Sequence, residues 1–170
     1  MHHMKQAKRP VSGLAGPYGH PLHPALAAVP VGAWAASFVF DIASRVVDES
    51  QVAAQGSRWL IGLGVLGALA AIMVGFLDLF AVPAGTRVFR TALLHMAINL
   101  AVTAAYALGF VLRGDQPAGP VGGGLLALSA AALGGLAVAG FLGGELAFRY
   151  GVRVADEATQ AEGYRSTRGT

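Results

Sequence analysis

The sequence predicts an all-α integral membrane protein, a four-helix up-down-up-down bundle with both termini in the cytoplasm. Three observations predict it. Hydrophobic residues make up 55% of the 170 residues and charged residues 12%, with a mean hydropathy of +0.58; soluble domains carry roughly twice that charge. Four stretches, at about 24–46, 59–82, 91–112 and 121–148, are apolar throughout, and a bilayer-spanning helix needs roughly 20 such residues. The twelve lysines and arginines divide nine to three between alternate flanks of these stretches.

Residues 1–15 form a tail with Lys5, Lys8 and Arg9. Its opening, "MHHMKQAKRP", is basic, but no apolar core with a small-residue cleavage site follows directly, so it does not read as a signal peptide. His2 and His3 carry no further reading. Residues 16–156 hold the four spans. "VDESQVAAQGSR" separates the first pair, "PAGTRVFR" the second and third, and "RGDQPAGP" the last two. Linkers this short make consecutive helices antiparallel neighbours. The N-terminal tail, Arg87, Arg90, Arg149, Arg153, Arg165 and Arg168 then share one side, and Arg45, Arg58 and Arg113 the other. Lysine and arginine mark the cytoplasmic side, which places both termini there. Residues 157–170 form a polar tail, expected to be disordered from about Gly163.

A sequence pI of about 9.7 suggests nucleic acid only until the basic residues are located. They sit in tails and loops, where membrane topology accounts for them. The chain has no cysteine, which excludes disulfides, thiolate metal sites and thiol nucleophiles. No Walker loop, dinucleotide-binding glycine pattern, zinc-protease motif or nucleophile elbow occurs. "GLGVLG" at 62–67 lies inside a span and is not a phosphate loop.

Polar residues inside the spans are few and fall at one depth. His20 and His23 sit at the mouth of the first span, Asp78 one turn inside the end of the second, and His95 one turn inside the third with Asn99 a turn further. Glu145 lies one turn inside the end of the fourth. Ionisable groups within spans face the bundle interior, paired or ligating, and neutral imidazole is the commonest metal ligand in proteins. Each residue also has a plainer reading. Asp78 can pair with Arg87 or Arg90, and Glu145 with Arg149 four residues on. His95 can be a hydrogen-bonded core histidine, and His20 and His23 headgroup-level residues.

The "GHPLHP" at 19–24 places Pro24 in a helix first turn, where its missing N–H costs nothing. It also biases His23 towards an extended backbone, as Pro21 does His20. The expected result is an extended lead-in that aims one or both rings at the bundle. Pro30 is expected to kink the first helix. Asp41 and Arg45, four apart, read as an interfacial pair. Trp34 is mid-span, and Trp59 and Tyr18 suit interfaces. Rows of small residues, Gly67, Ala71 and Gly75 in the second span and Gly135, Ala139 and Gly143 in the fourth, with Gly140 and Gly144 alongside, let helices pack closely or clear space for a flat cofactor.

"GPYGHPLHPALAAVPVGAW", "GFLDLFAVPAGTRVFRTALLHMAINL" and "GFLGGELAFRYGVRV" resemble the bacterial membrane family called domain of unknown function 2231 (DUF2231). The similarity runs from about Gly16 to Asp156, and the G-H-P-x-H-P lead-in with R-T-x-x-x-H is specific. The resemblance implies four membrane helices and no established activity. Its pattern matches His20, His23, Asp78 and His95. Some relatives are joined to a Rieske-type iron–sulfur domain, which associates the family with redox work. Fused relatives carry histidine after the glycine pair of the fourth helix, where this chain has Glu145.

Two classes of function follow. A redox protein of the cell membrane would hold haem b through His95 and either His23 or His20, with Asp78 or Asn99 orienting a ring. A non-haem metal ion held by His20, His23, His95, Asp78 and Glu145 is the variant of that reading. The alternative is a cofactor-free scaffold or complex subunit, with the polar layer serving packing. Expected partners are the lipid bilayer, a redox partner or another membrane subunit, and a second copy in a homo-oligomer. Nucleic acid is not among them. An ion pathway ranks lower, because the ionisable residues crowd one end.

Overall fold

The computed structural model describes residues 2–114 and 119–164. Among them lie a short helix α1 (His2–Lys8), four long helices, α2 (Leu22–Ala43), α3 (Ser50–Leu79), α4 (Arg87–Leu112) and α5 (Gly123–Gly144), and a short α6 (Glu157–Glu162). A π turn, Glu145–Arg149, extends α5. All four long helices are long and apolar enough to cross a membrane. Arg165, Arg168 and the rest of 165–170 lie outside the described residues.

Neighbouring helices run in opposite directions. His23, Val29 and Phe40 of α2 pack in turn on Gly75, Gly67 and Gly56 of α3; His95 and Val102 of α4 pack on Gly143 and Gly135 of α5. Contacts are most extensive within the pairs α2–α3 and α4–α5, then between α3 and α4, then α2 and α5. That leaves α2 and α4 on one diagonal of the bundle.

The helix limits differ from those expected. α3 begins at Ser50 rather than near 59, because the polar "SQVAAQGSR" is helical and buries Ala53, Ala54 and Ser57. α4 begins at Arg87, where the Thr86 hydroxyl accepts the Phe89 N–H at 3.1 Å and caps the helix. α2 begins at Leu22, so His23 is helical, not extended. Pro30 lies within the unbroken α2, and the neighbouring Gly67 leaves room for it: a Cβ there would lie 3.2 Å from the proline ring. Beyond the π turn, Glu157–Glu162 is helical, capped by Asp156. Accepting the Thr159 N–H at 2.9 Å holds the exposed Asp156 carboxyl below the usual carboxylate range.

Along the α2–α4 diagonal, Trp34 and Tyr106 stack in the middle of the bundle, 4.2 Å apart and 9° from parallel. Their polar ends donate to carbonyls of the flanking helices, Trp34 Nε1 to Ile61 at 3.3 Å and Tyr106 Oη to Ser129 at 3.4 Å. At the end remote from the histidines, Asp41 and Arg113 form a buried ion pair at 2.6 Å. Ser129 Oγ donates to Asp41 at 2.9 Å, Ser57 Oγ donates to its other oxygen, and Arg113 Nη1 donates to the Gly109 carbonyl at 3.0 Å. The pair expected between Asp41 and Arg45 is therefore corrected. Asp41 points inward, and Arg45 instead reaches the Val121 carbonyl at 2.6 Å, ahead of α5.

Removing one member of a buried ion pair strands the other charge, at a cost of about 3–5 kcal/mol, whereas replacing both by apolar residues is often near neutral. Asp41→Leu and Arg113→Leu are each expected to destabilise the bundle by that amount. The double variant should recover most of the loss in thermal unfolding of detergent-solubilised protein.

Candidate functional site

His23, in the first turn of α2, and His95, two turns into α4, meet at one end of the diagonal. Helix packing brings them there: each ring lies against a glycine of the partner helix in its own hairpin. A Cβ at Gly75 would come 2.8 Å from His23 Nδ1, and one at Gly143 would come 3.0 Å from His95 Cε1. The ring centroids of His23 and His95 are 6.1 Å apart, with the planes at 83°.

Hydrogen bonding fixes the tautomers. His23 Nδ1 is 2.8 Å from the Ala71 carbonyl, and His95 Nδ1 is 2.8 Å from the Ala139 carbonyl. A carbonyl only accepts, so both Nδ1 atoms carry a proton, and in the neutral tautomer the lone pair is on Nε2. On His95 that lone pair receives the Asn99 amide, Nδ2 to Nε2, at 3.2 Å; the same amide donates to the His95 carbonyl at 2.8 Å. Thr103 extends the line down α4 by donating to the Asn99 carbonyl at 2.7 Å.

The other expected members separate from this pair. His20 is exposed and its Nδ1 turns to the Tyr18 carbonyl at 3.5 Å. Glu145, in the π turn, accepts from Arg149 at 2.9 Å and from the Tyr150 hydroxyl at 3.2 Å; the plainer reading of Glu145 is the one observed. Asp78 stays within electrostatic reach of His23, but its partner is Arg153, Nε to Oδ1 at 2.6 Å, rather than Arg87 or Arg90. Among the described residues, no three His, Asp or Glu side chains stand together as a metal-binding group. The five side chains expected to share one ligand set therefore do not stand together among the described residues, and of them His23 and His95 are the two in ring contact.

Arg153 is the residue that sequence reasoning missed, since by position it reads only as a tail cation. Its backbone has φ 61°, a left-handed conformation uncommon outside glycine, and its side chain is buried. Nη2 donates to the carbonyls of Ala15 and Gly16 at 2.8 and 3.0 Å, and its backbone N–H donates to Ala7 at 2.9 Å. Lys8 Nζ donates to the Val154 and Ala155 carbonyls at 3.4 and 3.3 Å, and the Tyr18 hydroxyl accepts the Asp156 N–H at 2.7 Å. Residues 151–156 are thus laced to the N-terminal segment across the histidine end. These bonds span about 140 positions of chain, so no local pattern announces them. Two surface hollows lie apart from the imidazole pair. One of about 380 Å³ runs between α1, the α3–α4 turn and Tyr150, and one of about 460 Å³ lies along Phe141, Glu145 and Phe148.

A family model described as "Predicted membrane protein (DUF2231)" matches residues 19–156. No curated protein and no solved structure matches the chain.

The ring-to-glycine packing is testable. Overpacking a core costs about 1–3 kcal/mol, and Gly75→Ala and Gly143→Ala should each destabilise by that amount and displace a histidine ring. A Cβ at Gly134 or Gly140 would meet no neighbouring atom within 4 Å. Alanine there should leave the melting temperature unchanged or slightly raised, since alanine is the better helix former.

Proposed function

Because the chain belongs to the DUF2231 family of predicted membrane proteins, we propose that it spans the bacterial cell membrane with both termini in the cytoplasm. There it holds a redox-active metal centre between His23 and His95, haem b in the first instance, and serves electron transfer. A single observation carries the reading. Two imidazoles from diagonally opposed helices meet in a T-shaped contact with both Nδ1–H groups already pinned to backbone carbonyls, which is how metal-ligating histidines are oriented. The ring centroids lie 6.1 Å apart, close enough for both imidazoles to belong to one site. The small residues Ala71, Gly75, Ala139 and Gly143 flank the pair. When bound, the metal would supply one-electron chemistry; His23 and His95 would hold it, with the Asn99 amide giving up its contact to His95 Nε2.

One observation favours the alternative, a cofactor-free scaffold. The Asn99 amide occupies the His95 lone pair, and each histidine bonds a neighbouring helix, as polar side chains do when they serve as glue between membrane helices.

An absorption spectrum of detergent-purified protein, oxidised and dithionite-reduced, with elemental analysis of the same sample, separates these. A Soret band that shifts on reduction and is lost in both His23→Ala and His95→Ala supports haem. A featureless spectrum with stoichiometric metal supports a non-haem ion. Protein produced with haem and metals available that holds neither would leave the scaffold reading standing. Orientation has its own test in this cysteine-free chain. On intact cells a membrane-impermeant maleimide should label Asp48→Cys and spare Ser12→Cys; the reverse pattern would invert the proposed topology.

A further inference from the structure

The contacts of the diagonal obey one rule. His23 meets His95, Trp34 stacks on Tyr106, and Asp41 pairs with Arg113. Each pair is separated by 72 positions. The flanking helices follow a second constant offset, 68 positions. His23 and His95 bond the carbonyls of Ala71 and Ala139, and Trp34 and Tyr106 those of Ile61 and Ser129. A Cβ at Gly75 would meet His23 and one at Gly143 would meet His95; at Gly67 it would meet Val29 and Pro30, and at Gly135, Val102. Burial repeats likewise, with Pro30, Trp34, Ser37 and Asp41 on α2 matched by Val102, Tyr106, Gly109 and Arg113 on α4. The sequence keeps a trace of the same register. Leu22, His23, Phe38 and Val39 recur as Leu94, His95, Phe110 and Val111, and Gly67, Ala71, Gly75 and Phe80 as Gly135, Ala139, Gly143 and Phe148.

Self-pairing of equivalent residues is the mark of a two-fold axis, where a surface meets a copy of itself. We infer that the chain is a tandem repeat of one αα-hairpin, α2–α3 and α4–α5, docked on itself about a two-fold axis along the bundle, so that each hairpin's axis face is the docking surface for the other repeat. Repeats related by an axis along the membrane normal place their ligand sites at the repeat interface. His23 and His95 are mates at that interface. The inference needs no cofactor and stands whether or not the metal-site reading holds.

The repeat makes a prediction that contact alone does not. Residues of one tier should be exchangeable between the halves, provided their notches are exchanged too. Trp34 lies so close to α3 that a Cβ at Gly64 would collide with its indole; the mate of Gly64 under the 68-residue offset is Ala132, beside the smaller Tyr106. Gly109 is the notch for Arg113, since a Cβ there would lie 2.9 Å from Nη1; its mate is Ser37.

The test is two mirror chains, read by melting temperature and monodisperse yield in detergent. Gly64→Ala alone and Tyr106→Trp alone should each lower the melting temperature by several degrees. Ala132→Gly should rescue Tyr106→Trp, whereas Ala131→Gly, on the exposed face, should not. The mirror chain with Trp34→Tyr, Gly64→Ala, Tyr106→Trp and Ala132→Gly should recover to near the parental value. Independently, the exchange of Asp41→Arg and Arg113→Asp should fold only with Ser37→Gly and Gly109→Ser. The inference is overturned if neither mirror chain is more stable than its worse half-exchange, or if Ala131→Gly rescues as well as Ala132→Gly.

Discussion

Apolar side chains in this bundle point outward and small or polar ones point in, and that inversion constrains everything else. Leu63, Leu66, Met73, Val111, Phe141 and Phe148 are exposed, while Ala54, Ala68, Ala71, Ala139, Ser37, Ser57 and Ser129 are buried. Lipid tails are as apolar as leucine, so burying leucine between such helices gains little; close packing and interhelical hydrogen bonds hold them instead. Within that interior three pairs of large or polar side chains fall on one line, where His23–His95, Trp34–Tyr106 and Asp41–Arg113 join the diagonal helices. Without that line, α2 and α4 would have nothing to meet across the bundle.

Four of the six groups on the line, the two imidazoles, the indole and the guanidinium, lie where a neighbouring helix position has no side chain. Glycines supply the vacancies at Gly64 for the indole, Gly75 and Gly143 for the imidazoles and Gly109 for the guanidinium. The polar atoms then reach helix carbonyls that already accept within their own helix, which have a second lone pair to offer. In this way every imidazole, indole and phenol on the axis bonds the backbone, and on His95 the Nε2 lone pair is taken as well, by the Asn99 amide. The same arrangement explains why the site sits where it does. Of the three tiers, the histidine tier is the one built on imidazole rings, and there the Asn99 amide meets His95 Nε2.

Much of this is legible in the sequence, because composition and hydropathy act locally. The four spans and the layer containing His23, Asp78, His95 and Asn99 follow from position alone. Pairing does not. Asp41 sits four residues from Arg45, a spacing that suits a surface pair, yet it faces a residue 72 positions away. Asp78 has two arginines within reach across a short turn and takes Arg153 instead. Polar composition conceals two turns of α3, since "SQVAAQGSR" reads as linker until Ser57 is seen bonding Asp41. His23 takes a helical backbone despite Pro24, its local bias overridden by the bond to Ala71 and the fit against Gly75. The repeat is present in the letters, but an alanine- and glycine-rich background hides a handful of identities, and only the contacts reveal the register.

The one tier at which the halves differ in charge follows from the geometry. A residue on a two-fold axis meets its own mate, so identical ions there would place like charges together with little solvent to screen them. Histidine escapes the problem, because neutral imidazole both donates and accepts, and the aromatic tier carries no charge. An ionised tier can persist only if the halves divide it, one supplying Asp41 and the other Arg113, with Ser57 and Ser129 completing the carboxylate's hydrogen bonds. That division makes the halves complementary rather than identical. Two first hairpins would bury two carboxylates face to face, and two second hairpins two guanidinium groups, so the charge tier selects the pairing of unlike halves. Both hairpins in one chain guarantee that pairing, and with it the meeting of His23 and His95 at the far end of the same axis.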